Sequence, residues 1–403
     1  MSPLLLTHIT ATSCIGRGLD QTLTSLRAAR GGLAPCHFEG VTLPTCTGEV
    51  SGLDAVRLPA GLQRFDCRNN RLALLGLMQD DFLRSVGHCV DRWGAQRVGV
   101  FLGTSTAGIL ETELAYRHRD PVSGALPAGL DYAGSHDAFS VVDFVRRLLS
   151  LQGPAAAVSS ACSSSAKVFG SAQRLIAAGV IDAALVGGVD SLCLTTLYGF
   201  QSLQLTAPTP CRPFDAARDG ISIGEAAAFA LLERASPGVA TAPDAVQLLG
   251  VGESSDAYHM SAPQPQGHGA LRAMRSALAA AGLQPAAIDY INLHGTGTRS
   301  NDSAEAAAVE ALFGIATPCS STKGATGHTL GAAGALEAAI CALALRHGFI
   351  PGGCNFRQLD PDIHLHYVGR NLDAPLRHVL GNSFGFGGSN CALVFGRAGA
   401  QPA

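Results

Sequence analysis

The sequence predicts an α/β fold built from two similar halves, and three observations support this prediction. Short apolar runs typical of buried strands alternate with segments of helical period along the chain. The pattern restarts after the linker-like stretch SPGVATAPDA, residues 236–245. In each half, a helix start is followed about 60 positions later by a glycine-containing turn and a strand. We therefore expect one half over residues 1–240 and a second over residues 241–403, with the functional site between them.

The bulk composition excludes several classes of protein. The chain has 403 residues, of which 47% are hydrophobic and 15% charged, so a large core is expected. A formal net charge of −3 without a basic run argues against nucleic-acid binding. None of the 12 cysteines forms a C-x-x-C pair, so neither a zinc ribbon nor a disulfide scaffold is expected. A reducing cytoplasm is the expected compartment.

No stretch of the sequence predicts a membrane span. The N-terminus, MSPLLLTHITATS, lacks the basic region of a signal peptide. The most apolar later segment, residues 330–345, is interrupted by Glu337 and is expected to form a buried core helix. We therefore expect a soluble protein.

The individual elements follow from apolar runs and from helical periods. In the first half we expect a strand at residues 4–9, a helix at 19–29, a helix within 63–85, a buried strand at 97–103, a long irregular insertion at 104–152, a helix within 158–179, and strands at 182–189 and 226–233. In the second half we expect a strand at residues 246–252, a helix at 270–281, a strand at 288–295, a helix at 303–314, a strand, loop and apolar helix within 318–345, and a turn and strand at 382–396. The insertion at 104–152 is expected to line a pocket or an interface.

The stretch of residues 158–179, VSSACSSSAKVFGSAQRLIAAG, contains the candidate nucleophile. Small residues lead to Cys162, and a helical period follows through Phe169, Ala172 and Ile176. The N–H groups and the positive dipole end at a helix N-terminus are expected to lower the pKa of this thiol. A cysteine among small residues is more typically a buried packing residue, so the nucleophile hypothesis depends on the other motifs.

Three further motifs join Cys162. HGTGT places His294 at the end of a predicted strand, where α/β folds commonly carry functional groups. TKGATGH places Lys323 in a glycine-rich loop and His328 at the first position of an apolar helix, without the residue order of a P-loop. NSFGFGGSN supplies glycines that permit close approach of a substrate to the backbone.

A cysteine with two histidines is typical of nucleophilic thiol catalysis. A cysteine hydrolase is one hypothesis, but the papain-type and caspase-type motifs are missing. An acyl-transfer enzyme is the other hypothesis, in which Cys162 holds an acyl group and the histidines stabilise an enolate. The two histidines have no metal-ligand spacing, which favours acyl transfer, and no metal is expected.

Six motifs in order resemble those of the β-ketoacyl–acyl carrier protein synthases, the elongating condensing enzymes. They are SSACSSSA, RPFDAARDG, SSDAYHMSAP, HGTGT, SSTKGATGHTLGAAGALE and NSFGFGGSN. The resemblance covers roughly residues 97–395. It implies a thiolase-like fold, with the two halves stacked as a five-layered αβαβα sandwich. It also implies a homodimer, or a heterodimer with a related synthase or a chain-length-factor-like subunit.

The resemblance implies a role for each matched residue. Cys162 would take the acyl chain from an acyl carrier protein, which delivers the phosphopantetheine arm, and no further cofactor is implied. His294 and His328 would promote decarboxylation of malonyl-acyl carrier protein and stabilise the enolate. Lys323 would support the histidines, paired with Glu305.

Further implied roles concern the oxyanion, the substrate and the carrier protein. The backbone N–H groups of Cys162 and Phe386 would form an oxyanion hole, and Phe386 would gate the acyl pocket. The residues implied in substrate binding are Thr296 and Thr298, beside the pantetheine arm, with Thr106 and Phe384. The residues implied in carrier-protein docking are Arg64, Arg68 and Arg212. For Arg64 and Arg68, an ordinary solvated helix end remains an alternative.

Alternatives to an elongating synthase are a chain-length-factor-like non-catalytic subunit, a degradative thiolase and a chain-initiating synthase. Chain-length factors lack the nucleophile that Cys162 supplies here. Thiolases and initiating synthases lack the combination of HGTGT with TKGATGH. The three serines after Cys162, with DSLCLTTLYGF, resemble synthases of aryl-polyene or related pathways more than housekeeping ones.

Overall fold

The computed structural model describes residues 2–235 and 245–398. Nearly all of the predicted linker, and with it the predicted boundary between residues 240 and 241, lies outside the described residues. On either side of this gap, strands alternate with helices as the apolar pattern predicts. The α/β class expected from the sequence is confirmed.

The strands differ widely in length. The long ones include the buried runs identified in the sequence, and a further long strand, His378–Gly385, lies where no strand was expected. In chain order they are β1 (Leu4–Ser13), β2 (Gly16–Arg17), β3 (Ala34–Pro35), β4 (Cys46–Gly48), β5 (Val98–Gly103), β6 (Ala155–Val158), β7 (Ala183–Asp190), β8 (Ile223–Gly224), β9 (Ala226–Arg234), β10 (Val246–Ser255), β11 (Tyr290–Asn292), β12 (Pro318–Ser320), β13 (Phe349–Ile350), β14 (His366–Tyr367), β15 (Leu372–Asp373), β16 (His378–Gly385) and β17 (Ser389–Arg397).

The helices lie mainly between consecutive long strands. In chain order they are α1 (Leu19–Arg27), α2 (Arg68–Leu77), α3 (Phe82–Trp93), α4 (Ile109–Arg117), α5 (Ser140–Leu148), α6 (Ser164–Ala177), α7 (Leu194–Ser202), α8 (His268–Ala281), α9 (Arg299–Phe313), α10 (Lys323–Thr326) and α11 (Ala333–His347).

Within the described residues, one sheet of 12 strands runs through the protein in the order β14-β12-β11-β16-β17-β10-β1-β9-β7-β5-β6, with β2 paired to β1. The first strand of each half lies at the centre, where β1 and β10 pair antiparallel. From there outward, the first half runs β1-β9-β7-β5-β6 and the second runs β10-β17-β16-β11-β12. Both halves therefore place their long strands in the same order.

Strand directions repeat as well. β5 is parallel to β6 and β7, while β9 is antiparallel to β7 and β1. In the second half, β11 is parallel to β12 and β16, while β17 is antiparallel to β16 and β10. The two halves are thus duplicates in topology, as the resemblance to the thiolase-like fold implied.

Helices cover the sheet in layers. α6 and α11 pack against each other at the centre, and their apolar residues share one core with both halves of the sheet. α2, α3 and α5 cover the outer face of the first half, and α8 and α9 cover that of the second. The segment Leu330–His347, which includes α11, is long and apolar enough to cross a membrane, but 89% of it is buried inside the protein. It is the core helix that the sequence predicts.

Three local predictions differ from the structure. The helix expected within residues 63–85 is two helices, α2 and α3, because Asp80 and Asp81 adopt φ angles of 53° and 54°, which no helix continues through. Helix α7 is missing from the sequence prediction, although Leu194, Leu197 and Tyr198 recur at the three- to four-residue spacing of a helix. α11 begins at Ala333 rather than at His328, since Leu330 has a φ of 51° and a short turn intervenes.

Candidate active site

Cys162 lies in the turn between β6 and α6. The preceding Ala161 has a φ of 52°, an unfavourable angle for alanine, and α6 begins two residues after the cysteine, at Ser164. Gly385 packs directly against this turn, since a Cβ built there would lie 3.1 Å from Cys162 N and 3.2 Å from Ser163 N. The glycine-rich turn after β16 therefore reaches the candidate nucleophile because it has no side chain at this position.

The thiol lies beside both predicted histidines. His328 Nε2 is 3.0 Å from Cys162 Sγ, and the rings of His294 and His328 are 5.2 Å apart between centroids and nearly perpendicular. His294 follows β11 and His328 follows α10. The structure thus brings together residues from both halves of the chain at the ends of the two central helices.

The three ligand atoms of Cys162, His294 and His328 lie within 4.8 Å of one another, a spacing that also suits a metal ion. In a tetrahedral zinc site, a sulfur and a nitrogen ligand would be separated by about 3.5 Å. The 3.0 Å between Cys162 Sγ and His328 Nε2 is shorter and fits a direct hydrogen bond. The geometry favours a nucleophile and its base over two metal ligands.

Lys323 contacts both the ring and the backbone carbonyl of His294. Its ammonium donates to the backbone carbonyl of His294, forms a buried ion pair with Glu337, and lies 3.3 Å from His294 Nδ1. The predicted pairing of Lys323 with Glu305 is therefore wrong. Glu337, on the central helix α11, is the partner, and both side chains of this ion pair are buried.

Glu305 holds the backbone of the HGTGT loop instead. Its carboxylate accepts hydrogen bonds from the N–H groups of His294 and Gly295, each at 2.8 Å, and from Asn382 Nδ2 at 3.0 Å. Burial raises the pKa of this carboxyl to about 7, against the opposing effect of these hydrogen bonds. Glu305 acts on His294 through the main chain.

The electrostatics of the thiol contradict the expectation from the helix N-terminus. Burial raises the pKa of Cys162 to about 12, although the charge of Lys323 and the N–H of Phe386 oppose the shift. The side chain is only 6% exposed, and desolvation of the thiolate outweighs the helix dipole. Burial and then the Lys323 charge hold the pKa of His294 and of His328 well below the usual value. At rest the site holds a neutral thiol and neutral imidazoles.

A cavity opens onto these three side chains. Among the predicted substrate residues, Thr296, Thr298 and Phe384 line it, together with Phe386. The hydroxyls of Thr296 and Thr298 are 3.0 Å apart. The ring of Phe386 packs against Phe200 of α7, with 5.5 Å between centroids. The lining of the cavity combines aromatic side chains with the hydroxyls of these two threonines.

Thr106 does not line this cavity, contrary to the prediction that it shapes the substrate pocket. It is fully buried, its hydroxyl donates to Asp190 Oδ1 at 2.8 Å, and it accepts from Ser191 N at 3.2 Å. The hydroxyl is therefore used in a polar cluster beside the site rather than on its surface.

The three predicted docking arginines have different environments. Arg64 is 53% exposed and pairs with Asp131 at 3.2 Å. Arg68 is 12% exposed and donates to the buried Glu225 at 2.7 Å, which makes it an internal ion pair rather than a docking residue. Arg212 is mostly buried, with an ion pair of 3.4 Å to Asp219. Only Arg64 combines charge with a largely exposed side chain.

Sequence reasoning did not assign several residues that form the site. Glu337 stands in the sequence as an interruption of an apolar helix, and a lone carboxylate there indicates a buried partner. Phe200 lies on the helix that was missed. Asp256 and Asn390 both line the cavity, and Asn390 Nδ2 donates to Asp256 Oδ1 at 2.7 Å, which joins the SSDAYHMSAP segment to the turn after β16. Both lie in quoted motifs, and only the fold brings them together.

Two sequence-family models match the chain, beta-ketoacyl synthase, N-terminal domain, at residues 73–238 and beta-ketoacyl synthase, C-terminal domain, at residues 246–357. Among curated proteins, Nodulation protein E of Rhizobium meliloti is 36% identical over 334 residues, which cover 81% of this chain and 82% of that protein. The 3-oxoacyl-[acyl-carrier-protein] synthase 2 of Mycobacterium leprae (strain TN) is 39% identical over 248 residues, 59% of each protein.

Solved structures of similar fold include the ketosynthase ApeO in complex with its chain length factor ApeC from Xenorhabdus doucetiae. It has 38% identity, a TM-score of 0.88 and 98% coverage of both chains. The ishigamide ketosynthase/chain length factor has 31% identity and a TM-score of 0.88, and it covers 99% of this chain and 100% of that one.

Proposed function

The chain belongs to the β-ketoacyl synthase family of acyl-transferring condensing enzymes, and we propose that it extends an acyl group on Cys162 by two carbons from malonyl-acyl carrier protein. The observation that carries this proposal is the contact of 3.0 Å between Cys162 Sγ and His328 Nε2, with His294 beside it in one buried cavity. A non-catalytic chain-length-factor-like subunit has no use for this arrangement.

Acyl loading is the first half-reaction. His328 Nε2 takes the thiol proton as Cys162 Sγ attacks the carbonyl carbon of an acyl thioester on the carrier protein. The tetrahedral intermediate collapses, the acyl–sulfur bond to the carrier breaks, and the pantetheine thiol leaves with the proton. Because burial raises the thiol pKa, this proton transfer belongs to the attack itself rather than to the resting state.

Two backbone N–H groups beside the Cys162 sulfur, those of Cys162 and Phe386, are proposed to stabilise the oxyanion. Phe386 N–H lies close enough to the thiol to lower its pKa, and Gly385 allows the chain to approach Cys162 N. In our proposal, Cys162 N–H and Phe386 N–H bind the negative oxygen of each tetrahedral intermediate. Phe386 also gates the pocket, since its ring packs on Phe200 at the cavity wall.

Decarboxylation of the malonyl group is the second half-reaction. The bond between the malonyl carboxylate and its α-carbon breaks, CO₂ leaves, and the electron pair forms a thioester enolate. His294 donates a hydrogen bond to the enolate oxygen from Nε2, and His328 does so once its single proton has moved from Nδ1 to Nε2, so that both act as neutral imidazoles. The enolate carbon then attacks the acyl carbonyl carbon on Cys162, the carbon–sulfur bond breaks, the released Cys162 thiolate takes up a proton from solvent through His328, and the β-ketoacyl product remains on the carrier.

Lys323 fixes the tautomer that this step needs. An ammonium can only donate hydrogen bonds, so its contact of 3.3 Å makes His294 Nδ1 an acceptor. The single proton of the neutral imidazole is then on Nε2, where it serves as the donor to the enolate oxygen. Glu337 balances the ammonium charge and keeps it in place.

The carrier protein reaches this site from outside. Thr296 and Thr298 present hydroxyls along the cavity wall, and in our proposal they bind the amides of the phosphopantetheine arm. Arg64 remains the docking residue among the three predicted arginines, because its guanidinium is exposed and acyl carrier proteins are acidic. No other cofactor is needed for the chemistry.

A second synthase-type subunit is the proposed structural partner. β6 is the edge strand of the sheet, and residues Ala155–Val158 are all partly exposed, with small side chains that leave the backbone open to pairing. The structures of ApeO and of the ishigamide ketosynthase are complexes with a chain length factor. This chain is proposed to take the catalytic role in such a pair or in a homodimer.

The finer assignments follow from the same proposal. We place the enzyme in the cytoplasm, in a type II pathway of the fatty-acid, polyketide or aryl-polyene kind, and divide its halves at residues 240 and 241. A degradative thiolase or an initiating synthase is the second hypothesis. Its test is whether acyl groups enter from carrier protein or from coenzyme A.

The decisive experiment uses the purified chain with a panel of acyl-acyl carrier proteins. Mass spectrometry of the Cys162 peptide identifies the acyl group transferred, and addition of malonyl-acyl carrier protein should yield the β-ketoacyl product and CO₂. If no carrier-bound acyl group labels Cys162, with or without an added chain-length-factor partner, the proposed function is wrong.

A further inference from the structure

Asp190, at the end of β7, joins three segments beside the active site. It is fully buried. Oδ1 accepts from Thr104 Oγ1 at 2.7 Å and from the N–H groups of Ser105 and Thr106 at 2.8 and 2.9 Å. Oδ2 accepts from Gly331 N–H at 2.5 Å, and Ser105 Oγ donates to it at 2.5 Å. One carboxylate therefore connects β7, the loop after β5 and the turn that follows His328.

The turn after His328 depends on this contact. Leu330 adopts a φ of 51°, which is unfavourable for leucine. A Cβ on the next residue, Gly331, would lie 2.7 Å from Asp190 Oδ2 and 2.9 Å from Ser105 N, so only glycine lets the two segments meet. The strained turn is thus held against Asp190 by direct backbone contact.

His328 lacks a side-chain support of the kind that His294 has. Its Nε2 meets the Cys162 thiol, whereas Nδ1 has no hydrogen-bond partner among the described residues, although it is buried. The position of the ring therefore depends on its backbone. On one side, His328 N–H donates to Ser222 O at 2.7 Å and Gly224 N–H donates to His328 O at 3.0 Å. On the C-terminal side of His328, the first side chain that binds the backbone is Asp190, which accepts a hydrogen bond from Gly331 N–H.

We infer that Asp190 is a positioning residue, whose carboxylate holds the turn at residues 329–332 so that His328 Nε2 meets the thiol of Cys162. The inference rests on the proposed function only for its effect on turnover. The geometry also predicts an effect on the reactivity of the thiol itself, which needs no substrate. Thr106, fully buried beside Asp190, belongs to the same support.

The test begins with Asp190→Asn, which keeps the volume of the side chain. It replaces one acceptor oxygen with an NH₂ group, which faces N–H and O–H donors that then lack an acceptor. We expect alkylation of Cys162 by iodoacetamide, followed by mass spectrometry of its peptide, to slow about 10- to 100-fold, the effect of a misplacement of about 1 Å. Turnover of malonyl-acyl carrier protein should lose kcat by a similar factor with KM nearly unchanged. Equal alkylation rates in variant and wild type would overturn the inference.

A double variant separates positioning from general damage. If Asp190 acts through His328, Asp190→Asn combined with His328→Ala should alkylate no more slowly than His328→Ala alone. Multiplicative losses would contradict the inference. Glu233→Gln is the matched control, because Glu233 is also a buried carboxylate with several donors but lies at the opposite end of the paired strands β7 and β9. It should lower stability and leave alkylation unchanged.

Ser105→Ala is a milder second variant, which keeps the inference testable if Asp190→Asn does not fold. It removes one donor to Asp190 and the weaker acceptor of Gly331 N–H, at 3.2 Å, so an intermediate slowing of alkylation is expected. No slowing in a folded Ser105→Ala protein would count against the inference. A wild type that alkylates normally but does not condense would refute the proposed function and leave the role of Asp190 intact.

Discussion

Lys323 and Glu337 form a buried ion pair directly behind His294. Lys323 belongs to α10 and Glu337 to α11, so the pair ties α10 to the central helix, which is buried from Ala333 to Leu345. The same ammonium lies 3.3 Å from His294 Nδ1. One charge pair therefore has two effects, on stability and on the tautomer of the imidazole, and these effects can be separated.

The pair predicts that stability and decarboxylation respond differently to neutralisation. Lys323→Met leaves Glu337 buried without its partner and should lower the free energy of unfolding by about 3 to 5 kcal/mol. Adding Glu337→Gln removes the unpaired carboxylate and should restore much of that loss. Malonyl decarboxylation should stay about tenfold or more below wild type in both proteins, because His294 Nδ1 has lost its donor. Acyl loading should fall less.

Chemical denaturation and CO₂ release from malonyl-acyl carrier protein measure the two effects. Glu305→Gln is a useful comparison, since the Glu305 carboxylate accepts hydrogen bonds from the backbone of the HGTGT loop and from Asn382 rather than from Lys323. If decarboxylation recovers together with stability in the double variant, Lys323 acts only as a structural residue and the tautomer assignment is wrong.

The pH dependence of decarboxylation provides a second prediction. Burial and then the positive charge of Lys323 lower the pKa of His294 and His328 well below the usual value. A lowered pKa keeps both imidazoles neutral through pH 6.5, so wild-type activity should not be lost to their protonation there. Removing the ammonium in Lys323→Met removes a repulsion that disfavours the imidazolium. The pKa of both imidazoles then rises, and the acidic limb of the rate profile should move to higher pH.

Initial rates of CO₂ release between pH 5 and 8 measure this limb. Lys167, the only other lysine in the sequence, supplies the matched control in Lys167→Met, because its charge is not among the causes that shift either imidazole. The assignment would be contradicted by an acidic limb that moves equally in both variants, or that moves downward in Lys323→Met.

Arg64 and Arg68 should respond differently to charge reversal. Arg64→Glu changes a largely exposed charge and should raise KM for the acyl-carrier-protein substrate about tenfold while stability is unchanged. Arg68→Glu places a second carboxylate against buried Glu225 and should destabilise the protein by more than about 3 kcal/mol. KM at several salt concentrations, with thermal unfolding, distinguishes the two effects.

Arg174→Glu is the control for exposure, since Arg174 is 57% exposed and also pairs with a carboxylate. Its KM should equal that of wild type. An Arg64→Glu protein with unchanged KM would support the alternative that this residue belongs to an ordinary solvated helix end.

Much of the fold could be predicted because long apolar runs form buried strands or core helices. β5, β7 and β9 are fully or almost fully buried, so their sequences contain continuous small and branched apolar residues. Boundaries were less predictable where single backbone angles decide them. The breaks at Asp80–Asp81 and at Leu330 depend on tertiary contacts that stabilise unfavourable φ angles, and no local pattern reports such contacts.

The site was predictable in its residue types and less so in its pairings. Motifs placed Cys162, His294 and His328 at helix starts and strand ends, and the duplicated topology brings those ends together. The partner of Lys323 could not be derived, because Glu305 and Glu337 are both lone carboxylates near apolar neighbours. The thiol pKa was misjudged for a related reason, since the helix dipole is visible in a sequence whereas desolvation depends on the whole fold.

Cys162→Ala should abolish acyl loading and condensation without changing the fold. Alanine is smaller than cysteine, and Ala161, Ser163 and Gly385 already surround the position with small groups, so no clash arises. The melting temperature should change by no more than about 4 °C, and malonyl decarboxylation should persist at a measurable rate because His294, His328 and Lys323 remain. Calorimetry, peptide mass spectrometry and CO₂ release test the three parts separately. Acyl label that still accumulates on the variant protein would place the nucleophile elsewhere, whereas loss of decarboxylation together with loading would mean that the sulfur helps to position the histidines as well as to carry the chain.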